Sequence, residues 1–248
     1  MNATRGIEFR EGGLLVKTLC GEEEMVAAYR LRHRVFAQML KWVPTSIDEL
    51  EIDAYDGSAT FLGLFCEAGK LVGLTRLLPA PGPYMLEKEF RCFLEPGYCL
   101  RKERDTTEIT RLAIDPSLQD KGLSSRLMLT LFKGIYQWSL SNDIRYCYMV
   151  VERRFLRVLQ VMGFPCEPMS HFLALPPAGA LSVAAVLDWE RFRIESAGEH
   201  PDFLEWISAL TESETQEVLV ASTAGESATK LDVSSSSFAR RNEELVEV

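Results

Sequence analysis

The chain has 248 residues, 47% hydrophobic and 10% aromatic, which is enough to bury one sizeable core but short for two ordinary ones. Its formal net charge of −9 argues against a nucleic-acid binder, because a phosphate backbone needs a basic face. No apolar run approaches the roughly 18 residues that span a bilayer, so no stable membrane association is expected.

The start, Met1 to Glu11, is mixed and charged with no apolar secretory core, which predicts a cytoplasmic, unexported protein. Leu14 to Leu19 reads as a short strand. From Glu22 to Leu40, apolar residues recur at helical spacing (Met25, Ala28, Leu31, Val35, Met39). Trp42 to Asp56 carries Pro44 and a cluster of acids without a period, and predicts a long loop. Two strands follow, Thr60 to Cys66 and Leu71 to Leu78, linked at hairpin length through Gly69. Prolines end the second strand, a short helical piece is expected around Met85 to Phe93, and Thr106 to Ile114 resumes as a strand.

Leu123 to Leu140 repeats Leu127, Leu131, Ile135 and Trp138 at helical spacing, and Tyr146 to Val151 is a compact β run. Glu152 to Met162 predicts a helix closed by Gly163. Strands at about His171 to Leu175 and Leu181 to Leu187 complete the body. The order β-α-β-β-β-α-β-α-β-β is α/β with a mixed, largely antiparallel sheet flanked by helices. Residues 1–206 form the expected domain. Beyond Trp206 the composition turns to Ser, Thr, Glu and Ala, which predicts a flexible acidic tail over 207–248. From Pro201 to Val248 there are ten acids and three bases, so the body itself is nearly neutral. The six cysteines form no C-x-x-C pair, and three histidines are too few to complete a metal set. They read as free, buried thiols in a reducing compartment, with no metal and no cofactor expected.

The polar residues carry the functional case. Arg32 and Phe36 share one helix face, and the acidic loop follows at once. Glu51, Asp53 and Asp56 place three carboxylates within six residues, where mutual repulsion raises their pKa values unless a positive charge joins them. The plain alternative is a solvated acidic loop. Glu108 and Arg111, three residues apart, could equally form an internal ion pair that fixes the sheet.

The element order resembles the GNAT acyltransferase fold, and five motifs in register narrow the resemblance to the acyl-homoserine-lactone synthases, the autoinducer synthase family. They are Arg32, Phe36 and Trp42 in R-H-R-V-F-A-Q-M-L-K-W; Glu51, Asp53 and Asp56 in E-L-E-I-D-A-Y-D; Arg76 in R-L-L-P; Phe90; and Glu108, Thr110 and Arg111 in E-I-T-R-L. The similarity runs from about Glu22 to Phe192.

The resemblance implies an acyltransferase that joins an acyl group from a thioester carrier to the amine of S-adenosylmethionine, releasing the lactone and methylthioadenosine. Asp53 and Asp56 are then expected at the ammonium, Trp42 and Phe36 as an aromatic wall near the sulfonium, and Arg32 or Arg111 at the carboxylate, with Arg76 and Thr110 completing the binding set. A free α-amino group titrates near pKa ~8, so a base is needed, Glu51 first and Glu108 second. Phe90, Met128, Phe132, Met149 and Val151 are expected around the acyl chain. With Val150 and Val151 where related enzymes that prefer 3-oxo chains place a threonine, unsubstituted acyl groups are expected.

Gln119 to Ser124 opens a helix and is similar to a pyrophosphate loop, although Asp120 would repel phosphate. Arg153, Arg154 and Arg157, with Arg145, form a basic cluster for an acidic acyl-carrier protein, which is favoured over coenzyme A as donor. Two other readings stay open: an N-acyl amino acid synthase that stops at the amide, and a catalytically silent ligand-sensing module.

Overall fold

The computed structural model describes residues 4–118, 121–177 and 179–210. The expected tail from 211 onward lies outside the described residues, as do Gln119 and Asp120 of the phosphate-loop candidate. In chain order the elements are β1 (Glu8–Glu11), β2 (Leu14–Thr18), α1 (Glu22–Arg32), β3 (Thr60–Phe65), β4 (Leu71–Pro79), β5 (Thr106–Ile114), α2 (Lys121–Ser141), β6 (Tyr146–Glu152), α3 (Arg153–Val161), β7 (Cys166–Pro168), β8 (Leu173–Leu175), β9 (Ala180–Asp188), α4 (Trp189–Glu199) and α5 (Pro201–Ser208). The sheet order is β1-β2-β3-β4-β5-β6-β9-β7, with β8 also on β9. Among the described residues only the β5–β6 pairing is parallel, because α2 carries the chain back to the end where β5 began.

Side-chain alternation splits the core between the two faces of the sheet. Leu62, Leu64, Leu77, Ile109 and Met149 meet α2, α3, α4 and α5 on one face. Phe61, Leu74 and Ala113 meet Ala28 and Leu31 of α1 on the other. Beside α1, the long excursion between β4 and β5 packs Tyr84, Met85, Leu86 and Phe93 over Leu78 and Tyr148. The expected three-layer α/β architecture is therefore present, with more elements than the sequence reading provided.

Three of those elements are additions with local signals. Asp188 caps α4 by accepting from the Glu190 and Arg191 amides, and Pro201 opens α5. Phe192 of α4, with Phe203 and Ile207 of α5, is buried against α2, so the folded body runs past the expected boundary at 206. β1 pairs with β2 across the Gly12-Gly13 turn, where both residues adopt positive φ.

The α1 region also departs from the simple period. After Arg32 the backbone widens to a π-helix over His33–Met39, seen in the Leu40 amide bonding the Val35 carbonyl at 2.9 Å. The wider winding turns Met39 out to 53% exposure and Phe36 inward to 5%. Cys147 and Cys166 are buried, but Cys20, Cys92 and Cys99 are exposed, which corrects the expectation that all six are core thiols.

Candidate active site

The loop after α1 folds back on its own helix. Ser46 bonds both the Leu50 carbonyl and amide, its amide meets His33, and the Glu51 amide reaches the Tyr29 carbonyl at 3.2 Å. Asp53 then accepts from the Tyr55 amide and Asp56 from the Asp53 amide, a tight turn that aims all three acids at the sheet.

Three arginines from three elements meet them there. Arg32 donates to Glu51 and, at 2.7 Å, to Asp56. Arg76 of β4 reaches Asp53 and Asp56, and its Nε bonds Thr110 Oγ1 at 2.9 Å. Arg111 of β5 grips Glu51 through Nε and Nη2, at 3.1 and 2.9 Å, and also reaches Asp53 at 3.2 Å. The guanidiniums lie over aromatic rings: Arg32 over Tyr29 and Phe61, Arg76 over Tyr55, and Arg111 over Phe36 at 5.3 Å.

The three carboxylates are thus drawn out of solvent although residues 44–50 of the loop are largely exposed, and the protein supplies their countercharges. Burial pushes the Glu51 carboxyl up, but the hydrogen bonds and charges of Arg111 and Arg32 outweigh it and hold the group below the usual carboxylate range. Asp53 is lowered in the same way, burial being outweighed mainly by Arg76. The expected raised pKa at Glu51 is therefore reversed. Arg32 and Arg76 have no exposed side-chain surface, whereas Asp53 and Arg111 keep 21% and 12%. Of the two arginines expected at a ligand carboxylate, Arg32 is a buried anchor and only Arg111 offers surface.

Arg111 reaches this cluster because β5 is irregular there. Between the pairs Leu74–Ala113 and Arg76–Thr110, β5 holds one residue more than β4, and Arg111 takes a φ of 52°. Simple alternation from Glu108 and Thr110 would send Arg111 to the opposite face. The bulge turns it back to the face of Thr110, onto Glu51 and Asp53. The internal Glu108–Arg111 ion pair, the alternative to a functional role for the two residues, does not form.

Glu108 instead accepts from the Met85 amide at 2.6 Å and the Leu86 amide at 3.0 Å, with no exposed surface. Burial pushes its carboxyl up to about 8, against the pull of those two amides and of Arg76. Met85, which the sequence reading gave no role in binding or chemistry, links the whole set: its sulfur lies 3.2 Å from Arg76 Nη2 and 3.7 Å from Arg111 Nη1. Nothing in its local sequence marks it out.

Beyond Glu108 the sheet opens. β5 and β6 pair only from Thr106–Tyr146 to Glu108–Tyr148, after which β5 continues to Ile114 and β6 turns to β9 alone. A V-shaped split results, with Glu108 at its apex and Thr110 and Arg111 on one arm. Met128, Phe132, Met149 and Val151 gather beside it on the α2 face. Phe90 does not join them: it packs with Tyr84 and Phe93 on the opposite face, so the five residues expected around one chain occupy two sites. Trp42 is 41% exposed and stands 6.0 Å from Phe36, which is itself core beneath Arg111. Of the basic cluster, Arg145 is tied to Asp188 at 2.9 Å and to Glu190, while Arg153, Arg154 and Arg157 remain exposed on α3.

A family model described as autoinducer synthase matches residues 17–194, the span that holds all of these groups. The chain belongs to the autoinducer synthase family. An acyl-homoserine-lactone synthase of Agrobacterium fabrum is 33% identical over 171 residues, covering 67% of this chain and 80% of that protein. Among solved structures, the AHL synthase LasI superposes with a TM-score of 0.60 at 22% identity, covering 75% of this chain and 91% of LasI. BjaI, described as a CoA-dependent acyl-homoserine lactone synthase with MTA, gives 0.61 at 21% identity and covers 90% and 92%. These likenesses show the GNAT-like fold. As an acyltransferase of this family, the synthase is an enzyme, and the reading of a silent sensing module falls away. Among the described residues no helix is long and apolar enough to cross a membrane, and no group of His, Cys, Asp or Glu could hold a metal ion.

Proposed function

We propose that this synthase transfers the acyl group of an acyl-carrier-protein thioester to the amine of S-adenosylmethionine and then releases an N-acyl-homoserine lactone and methylthioadenosine. The observation that carries the reading is the Asp53–Arg111 pair, the outermost members of a buried six-charge set, placed at the mouth of the β5–β6 split. An α-amino acid is a zwitterion, and an opposed carboxylate and guanidinium are its complement: the ammonium meets Asp53 and the carboxylate meets Arg111. Trp42 offers an exposed ring to the sulfonium. Glu51, Arg32, Asp56, Arg76 and Thr110 hold those two groups in place.

The amine must lose a proton before it attacks. A carboxylate held low by two guanidiniums is a poor acceptor, so Glu51 orients Arg111 and the proton goes to Glu108. Its affinity, about 8, lies close to that of the α-amino group. Because Glu108 lies beneath the Met85 turn, it takes the proton through water. The N–C bond then forms, the thioester C–S bond breaks and the carrier thiol leaves. The substrate carboxylate next attacks its own γ-carbon, breaking the sulfonium C–S bond. Arg111 is shared with Glu51 and Asp53, so it can release that carboxylate. The apolar split beside Met128, Met149 and Val151 receives an unsubstituted acyl chain, and the exposed Arg153, Arg154 and Arg157 face the acidic carrier.

The experiment is to incubate purified protein with S-adenosylmethionine and acyl-carrier or acyl-coenzyme A donors and resolve the products by mass spectrometry. Lactone with methylthioadenosine, formed faster from the carrier, is expected. An amide formed without methylthioadenosine would replace this reading with an N-acyl amino acid synthase.

A further inference from the structure

The first two turns of α3 hold Arg153, Arg154 and Arg157, all exposed, with no acid in the first turn. Among the described residues the arginines in ion pairs are Arg32, Arg34, Arg76, Arg101, Arg111, Arg145 and Arg191, and none of the α3 three is among them. Cations at a helix N-terminus oppose the helix dipole, so this surface is poorly satisfied by the folded body alone. An apolar rim adjoins it. Ser182 is the register partner of both Glu152, which precedes α3, and Leu173 of β8, so the β8–β9 hairpin stands beside these turns. Phe172, Leu173 and Leu181 on that hairpin are exposed at 36%, 38% and 41%, and the Arg153 guanidinium lies 5.6 Å from the Phe172 ring.

The complement to this face lies in the same chain. Residues 211–248 contain eight acids and three bases. Six of the acids fall in two groups beside aliphatic residues: Glu212, Glu214 and Glu217 before Val218-Leu219-Val220, and Glu243, Glu244 and Glu247 around Leu245, Val246 and Val248. The described body ends at Leu210, and a flexible chain of that length has a root-mean-square reach on the order of 35 Å. A body of this size has a radius of gyration of about 17 Å, so the tail reaches any face.

We propose that the acidic tail docks on the Arg153, Arg154, Arg157, Phe172, Leu173 and Leu181 face of its own chain and competes there with the acidic acyl-carrier donor. The competition rests on the carrier reading above; the docking does not. Both ligands are matched by charge and apolar side chains to the same surface, so each excludes the other. The tail raises the KM for the carrier and leaves kcat alone.

The test uses the full chain and the variant E212Q/E214Q/E217Q/E243Q/E244Q/E247Q. Hydrogen exchange at residues 153–157 and 172–182 is measured at low salt and at about 0.5 M salt, where exposed charges are screened. Protection that the variant lacks, and that salt removes from the unsubstituted chain, is expected. The KM for acyl-carrier falls about threefold to tenfold in the variant, as expected for a weak contact held at an effective concentration near millimolar. In the R153Q/R154Q/R157Q background, the same tail changes alter nothing. Equal exchange in variant and unsubstituted chain at low salt overturns the proposal, as does protection that rises with protein concentration, which would assign the face to another copy's tail. Tail-dependent protection with a carrier KM indifferent to all three arginines upholds the docking and removes only the carrier reading.

Discussion

Glu108 should make the stability of this enzyme fall with rising pH in a window where most carboxylates have finished titrating. Its carboxyl is raised from 4.5 to about 8 in the folded protein, so the folded state binds the proton more tightly than the unfolded chain. The sign follows from linkage: stability is full below the unfolded value and declines as pH rises toward the folded one. At roughly 1.4 kcal/mol per pH unit, the loss from pH ~5.5 to ~8.5 is on the order of 3 kcal/mol. With m of about 2–3 kcal/mol/M in urea, the unfolding midpoint should drop by roughly 1–1.5 M. The Glu108→Gln variant has no proton to lose, but its amide can accept from only one of the Met85 and Leu86 amides and turns a donor toward the other, a mismatch of about 1–3 kcal/mol. The variant should therefore be less stable than the unsubstituted chain near pH ~5.5 and draw level or overtake it near ~8.5. Urea titrations followed by tryptophan fluorescence measure both curves. Parallel curves across the window would refute the reasoning.

Arg32→Met leaves Glu51 and Asp56 each short of a buried guanidinium, at about 3–5 kcal/mol, and calorimetry should show Tm lowered by roughly 6–20 °C. A shift under about 2 °C would mean that Arg32 does not anchor the set. Trp42→Ala removes a half-exposed ring that supports little of the core, so Tm should hold while the KM for S-adenosylmethionine rises about threefold to thirtyfold. An unchanged KM would place the sulfonium elsewhere. Glu51 is held low by Arg111 and Arg32, so its contribution exists above the unfolded pKa and is lost as pH falls through the folded one. The stability gap between the unsubstituted chain and Glu51→Gln should accordingly narrow as pH falls below the unfolded carboxyl value, and a gap that stays constant as the solution is acidified would count against the pairing.

The sequence by itself determined the residue types and most of the frame. Period-2 and period-3.6 patterns located β2 to β6, α2 and α3, because burial on one face imposes those periods on any chain. The spacing of Arg32, Glu51, Asp53, Asp56, Arg76, Glu108 and Arg111 marked a charged site and a family. Asp188 and Pro201 are residue types that start helices, but the short α4 and α5 carry too few periodic apolar residues to mark themselves as part of the core. What only the tertiary structure decided is which charge meets which. A single extra residue on β5 and a left-handed φ at Arg111 carry it across the sheet to Glu51, while the Met85 turn closes over Glu108. The two glutamates thereby exchange their expected character, one held ionised by guanidiniums and the other kept protonatable by burial. Local sequence could not foretell this, because a carboxylate's proton affinity is set by neighbours that folding brings from distant segments, and a bulge reverses which of them it meets.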